Sequence, residues 1–183
     1  MKIKLVLMLA LLGGTVCCHA QRFSVSTNLL DYVALGTLNA DFSFAISRHW
    51  SAMVGVRYNP FTFGEGEGQF QHRQQSYSAG IRMWPWHIMS GWWFASKIRY
   101  QEYNIGGIVN PQTREGDRYG VGVYSGYTHM ISRRLNLEFG LGLWGGWEQY
   151  TRYDCPRCGM RIDEGRRMFM LPDDWIVSLV YVF

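Results

Sequence analysis

The chain has 183 residues, a formal net charge of +4, 48% hydrophobic and 16% aromatic residues, and only 5 prolines. Two of its 18 Lys and Arg, Lys2 and Lys4, fall at the very start, leaving 16 basic against 14 acidic groups downstream, a balance that excludes an electrostatic claim on nucleic acid. The length suits one domain behind a leader and is short for two.

Lys2 and Lys4 are followed by the apolar run Leu5 to Leu12, then Gly13-Gly14-Thr15 and the small-residue tripeptide Cys18-His19-Ala20. This order predicts a cleaved export signal over residues 1–20, with Gln21 opening the mature chain. The apolar run falls short of the roughly 20 residues a spanning helix needs.

Beyond the leader the hydropathy period is two, and it recurs along the chain. The first segment is Phe23 to Leu30. In Leu38 to Ile46 the row Leu38, Ala40, Phe42, Phe44, Ile46 opposes Asn39, Asp41 and Ser43. In Trp50 to Tyr58, Ala52, Val54, Val56 and Tyr58 oppose Arg57, and in Ser76 to Trp84, Tyr77, Ala79, Ile81 and Met83 oppose Arg82. In Trp92 to Tyr103, Trp92, Phe94, Ile98 and Tyr100 oppose Lys97, Arg99 and Gln101. After Tyr119 to His129 comes the clearest segment, where Leu135, Leu137, Phe139, Leu141, Leu143 and Trp147 alternate with Asn136, Glu138, Gly140, Gly142 and Trp144. Trp175 to Phe183 closes the chain on an aromatic. Eight such segments of about ten residues match tilted strands that cross a bilayer, polar row inward and apolar row outward. The predicted fold is all-β, a small transmembrane antiparallel up-and-down barrel of about eight strands over residues 21–183, located in the bacterial outer membrane.

The links after the second, fourth and sixth segments are short, whereas Asn59 to Gln75, Asn104 to Arg118 and Gln149 to Asp174 are long. Short turns on one side and long connections on the other predict periplasmic turns and long extracellular loops, with aromatic girdles at both levels.

The candidate lumen set is Asp41, Arg57, Arg82, Lys97, Arg99 and Glu138, with Glu148 a further member. A barrel of this size is filled by side chains, so these charges are expected to pair as a plug; a narrow small-solute pore is the alternative. Cys155 and Cys158 reads first as a structural disulfide in an exported loop, with a free dithiol or a metal or redox role as the alternatives. A lipid-modifying hydrolase would need a nucleophile beside its base; His72 with Ser76 or Ser78 and the outward-phased His129 are the nearest approaches, none with a clear acid partner. No cofactor is expected.

Asn28-Leu29-Leu30, Trp50-Ser51, Tyr58-Asn59-Pro60-Phe61, Ile81-Arg82-Met83-Trp84, Tyr103-Asn104-Ile105-Gly106-Gly107 and Tyr153-Asp154-Cys155-Pro156-Arg157-Cys158-Gly159 occur in this order. The ordered set resembles a domain-of-unknown-function family of Bacteroidota cell-envelope proteins, barrel-like in sequence and often encoded beside fimbrillin genes. The resemblance implies an outer-membrane location and a link to surface fimbriae, and it carries no activity or ligand. The expected role is therefore a non-enzymatic barrel that binds or supports another envelope component. Its expected partners are membrane lipid, lipopolysaccharide and fimbrial or other surface proteins.

Overall fold

A computed structural model describes residues 23–33, 35–64, 69–107, 112–154 and 159–183. The strands are β1 (Phe23–Asn28), β2 (Leu38–Ala45), β3 (Trp50–Asn59), β4 (Thr62–Phe63), β5 (Phe70–Met83), β6 (Gly91–Gly106), β7 (Thr113–Met130), β8 (Leu135–Tyr153) and β9 (Arg161–Val182), with a one-turn helix α1 (Leu29–Val33) after β1. All pairings between strands are antiparallel. β3 pairs with both β2 and β5, and β1 with both β2 and β9, so the sheet closes into an eight-stranded barrel with the two-residue β4 as an appendage on β5. Closure removes the sheet edges where first and last strands meet, as the Phe183 N–H donation to the Phe23 carbonyl illustrates.

The period of two puts the expected rows on the expected faces. In β3, Trp50, Val54, Val56 and Tyr58 are exposed while Ser51, Met53, Gly55 and Asn59 are buried. In β6, Lys97, Arg99, Gln101 and Tyr103 point inward and Trp92, Phe94, Ile98 and Tyr100 outward. Both β9 halves keep their faces by a bulge: Leu141 pairs with Trp175 but Leu143 with Pro172, one extra residue on β9. Without it, a continuous alternation would turn Phe169 or Ile176 to the wrong side.

Inward glycines make room for inward aromatics. A Cβ on Gly142 would stand 2.1 Å from the Tyr124 ring, and one on Gly126 would stand 2.5 Å from the Trp93 ring. In the same way a Cβ on Gly55 would sit 2.1 Å from Asp41 Oδ1. The floor of the barrel is the turn between β5 and β6, where Met89 takes a positive φ of 59° and is buried. Asn136 Nδ2 holds that turn through the Met89 carbonyl at 3.0 Å.

Two expectations need correction. The three long connections are mostly strand: β5 begins at Phe70, β6 runs to Gly106, β7 begins at Thr113, β8 runs to Tyr153 and β9 begins at Arg161. The expected long loops are thus a wall of five strands, β5 to β9, rising above the short β1, β2 and β3. Their polar residues fall on both faces, so hydropathy shows no alternation there, and the pairing continues upward from the barrel with one register shift on β9 between the partners of Arg152 and Tyr153. At the other end of the chain, the segment expected to stay extended to Leu30 ends at Asn28, because Leu29–Val33 turns into α1.

Candidate functional site

The lumen is layered. At the turn end the cluster of Met53, Trp84, Met89, Trp93, Tyr124 and Val180 is apolar and buried. Arg82 lies in it, its guanidinium 4.1 Å from the Trp93 ring centroid and 5.4 Å from that of Trp84. Arg82 Nη1 donates to Glu138 Oε2 at 2.8 Å, and Thr128 Oγ1 donates to the same oxygen at 3.2 Å. Two charges this deep are tolerable only as a hydrogen-bonded pair. Above them Lys97 Nζ stands 3.8 Å from Asp41 Oδ1 and over the Tyr124 ring. Arg99 covers the Trp144 ring at 5.0 Å. Arg57 pairs at 3.0 Å with Asp31, which α1 carries to the rim.

Of the six charges read from the sequence, Arg82 pairs with Glu138, Lys97 with Asp41 and Arg57 with Asp31, and Arg99 lies over the Trp144 ring. Glu148 is the centre of a further cluster. It is fully buried and accepts from Tyr103, from Arg118 at 2.7 Å and from Arg167. Arg118, Arg167 and Tyr103 were missed as site residues, although Arg118 shares the phase of Gly120 and Tyr124; Arg167 gave no signal because its strand shows no alternation. Cys155 and Cys158 lie outside the described residues.

The outer wall changes character within one step of register. Tyr77, Tyr100, Tyr119, Trp147 and Met168 are consecutive partners across β5 to β9, and all face outward. The next outward row up reads Gln75, Glu102, Asp117, Gln149 and Arg166, and the next Arg73, Asn104, Glu115, Thr151 and Glu164. The Tyr100 hydroxyl spans the border, donating to Glu102 and Asp117 at 3.0 Å each. Apart from Arg166 and Glu164, the two polar rows line a concave recess of about 500 Å³ that also touches Tyr58 and Pro60. Glu102 opposes Asp117 directly, an arrangement of like charges that costs stability rather than adding it. Tyr153 donates to Glu115 at 2.6 Å, which raises the Tyr153 phenol above its ordinary value.

The inner face of the rising wall differs from its outer one. Arg114, Arg118, Arg152 and Arg167 meet only Glu148 and Asp163 in the registers between β7, β8 and β9, so this face is net cationic. Arg114 opposes Arg152 and covers the Tyr150 ring at 5.3 Å.

Over residues 5–183 the chain matches the family described as protein of unknown function (DUF3575). The chain belongs to this family. No curated protein matches it. Its membership covers the whole barrel and assigns no chemistry to any residue. His72 accompanies Gln74 at 3.3 Å, and burial lowers its imidazole below the ordinary value. Ser76 lies four residues further along the same strand, about 13 Å at 3.3 Å per residue, beyond hydrogen-bond reach. His129 is exposed on the outer face at the turn end of β7. Among the described residues no group of three or more His, Cys, Asp or Glu side chains could hold a metal ion.

Proposed function

We propose that this protein spans the bacterial outer membrane as a non-enzymatic barrel and holds its five-stranded wall outside as a docking surface for another component of the envelope. The observation that carries the reading is the border on the outer face, where Tyr77, Tyr100, Tyr119 and Trp147 give way in one step to Gln75, Glu102, Asp117 and Gln149. Below that row every stave exposes large apolar side chains, among them Val25, Phe42, Val54, Ile81, Ile98, Val123, Leu141 and Leu179, with Ala79, Ser125 and, at the turn end, His129 between them. Such a surface is unfavourable in water and matches the apolar band and aromatic girdle of a lipid-embedded barrel. Export by a signal over residues 1–20 belongs to the same reading. Arg73 and Arg166, just above the girdle, are placed to meet lipid or lipopolysaccharide phosphates. The docking surface is the recess between Tyr58, Arg73, Glu115 and Asp117, and a fimbrial subunit is the occupant that the resemblance noted in the sequence implies. A pore is disfavoured by the lumen, where Trp93, Trp144 and Glu148 are each under 2% exposed.

The test is fractionation of the exported protein followed by electrophoresis with and without heating. A closed barrel in lipid satisfies its backbone hydrogen bonds and resists detergent until heated. The expected result is recovery with outer membranes and a heat-dependent change in mobility. Recovery as a freely soluble periplasmic monomer overturns the reading.

A further inference from the structure

The barrel is closed below, but β9 outruns its neighbour. β1 pairs with β9 only from Val182 up to Ser178. One step further the Asn28 side chain takes the place of a strand, accepting from Val177 N–H at 3.1 Å and donating to the Trp175 carbonyl at 3.2 Å. Pro172, which has no N–H, and the bulge beside it then end any continuation of that pairing. From Arg161 to Leu171, β9 pairs with β8 on one side and, among the described residues, with no strand on the other. An unpaired edge of this length is the kind of template that recruits another strand.

The order of residues along this edge says which strand fits. Ile162-Asp163-Glu164-Gly165-Arg166-Arg167-Met168 reads apolar, acid, acid, glycine, base, base, apolar. Laid antiparallel against itself with Gly165 opposite Gly165, it places Glu164 against Arg166 and Asp163 against Arg167, each twice, while the register shift beyond Asp163 takes Ile162 out of the ladder. Opposite charges directly across an antiparallel pair stabilise it, and like charges destabilise it. Glu164 and Arg166 are exposed, and Glu164 makes only a 3.4 Å pair with Arg161, two-thirds exposed on both sides. A Cβ at Gly165 would meet only the Tyr150 side chain, at 3.4 Å, in ordinary contact, so the dyad position has room for it.

We propose that the upper edge of β9 pairs with the same edge of a second copy, antiparallel, about a two-fold axis at Gly165. This inference rests on the reading of the rising wall as a docking surface and names the occupant of its open edge. An isologous contact of this kind closes on itself and stops at two copies. Because the strands run antiparallel, the two barrels point away from each other, so the contact joins facing membranes rather than neighbours in one.

The test uses the full mature chain in detergent micelles with Cys155→Ser and Cys158→Ser, to which Gly165→Cys is added. Directly opposed residues bring their Cα atoms within the span a disulfide bridges. Mild oxidation should give a covalent dimer. Adding Glu164→Arg or Arg166→Glu should lower its yield at least about tenfold, because each change sets like charges face to face. Both changes together restore complementarity and should restore the yield. A Gly165→Cys protein that keeps its heat shift and stays monomeric overturns the pairing, and so does a yield that ignores the charge changes. A cross-link to a different protein in native membranes overturns it too, in favour of a foreign strand. Should Gly165→Cys fail to fold, the unmodified protein and Glu164→Arg are compared by sedimentation: dimer against monomer is expected, and monomer for both overturns it. Loss of the heat shift in the unmodified protein marks failure of the barrel reading instead.

Discussion

The lower barrel and the rising wall are built largely by the same strands, yet only the lower part could be read from hydropathy. In β8 the stretch Leu135 to Trp147 alternates apolar and polar because its two faces meet different surroundings, while Gln149 to Tyr153 has polar groups on both faces. Alternation records a difference between two environments and not the presence of a strand. Where both faces are wet, the strand persists because the ladder below already fixes its register, and the sequence alone looks like a loop.

The largest expected effect lies in the lower part. Glu138→Leu strands Arg82 among Trp84, Trp93 and Met89 without its carboxylate, and should cost about 3–5 kcal/mol in denaturant unfolding in micelles. Adding Arg82→Met should recover much of it. An unchanged midpoint for Glu138→Leu would place Glu138 in contact with solvent and dissolve the contrast between the two regions.

A smaller loss is expected where glycine makes room for a ring. Gly142→Val pushes a side chain into Tyr124 and should destabilise by about 1–3 kcal/mol or more. The same substitution made together with Tyr124→Ala should cost less than either change predicts alone, since the two sites share one volume. Additive costs would mean that Gly142 is there for another reason.

In the rising wall, single changes should barely register. Arg73→Gln and Glu115→Gln, on the wetted outer face, are each expected within about 0.5 kcal/mol of the parent. Losing Cys155 and Cys158 together should also leave the heat shift intact, because a bridge between them closes a very short loop and contributes less than the ~3 kcal/mol of a fifteen-residue one. Thiol trapping and mass spectrometry of the exported protein read their state: two alkylated cysteines contradict the disulfide.

The eight staves, their order and their inward rows were legible because each crosses from one environment to the other. Asp41, Lys97, Arg82 and Glu138 were legible as inward for the same reason. Their partners were not, since pairing depends on shear between strands: Arg57 meets Asp31 of α1, which is far from any strand-based expectation. The aromatic filling at the turn end was hidden because Trp84, Trp93 and Tyr124 look like girdle or core residues until the glycines opposite them are placed. Arg167 escaped because its part of β9 carries no period, and Arg118, although in phase with Gly120 and Tyr124, lies just before the Tyr119 to His129 segment.

The central claim is that lipid covers the outer wall up to the Tyr119 row and water covers it above. Single cysteines at the outward positions of β7, replacing Val123, Val121, Asp117 and Glu115 in turn in the Cys155→Ser, Cys158→Ser chain, are reconstituted in bilayers and exposed to a membrane-impermeant maleimide. Protection at Val123 and Val121 with rapid labelling at Asp117 and Glu115 is the predicted result, and equal labelling at all four positions would contradict the account.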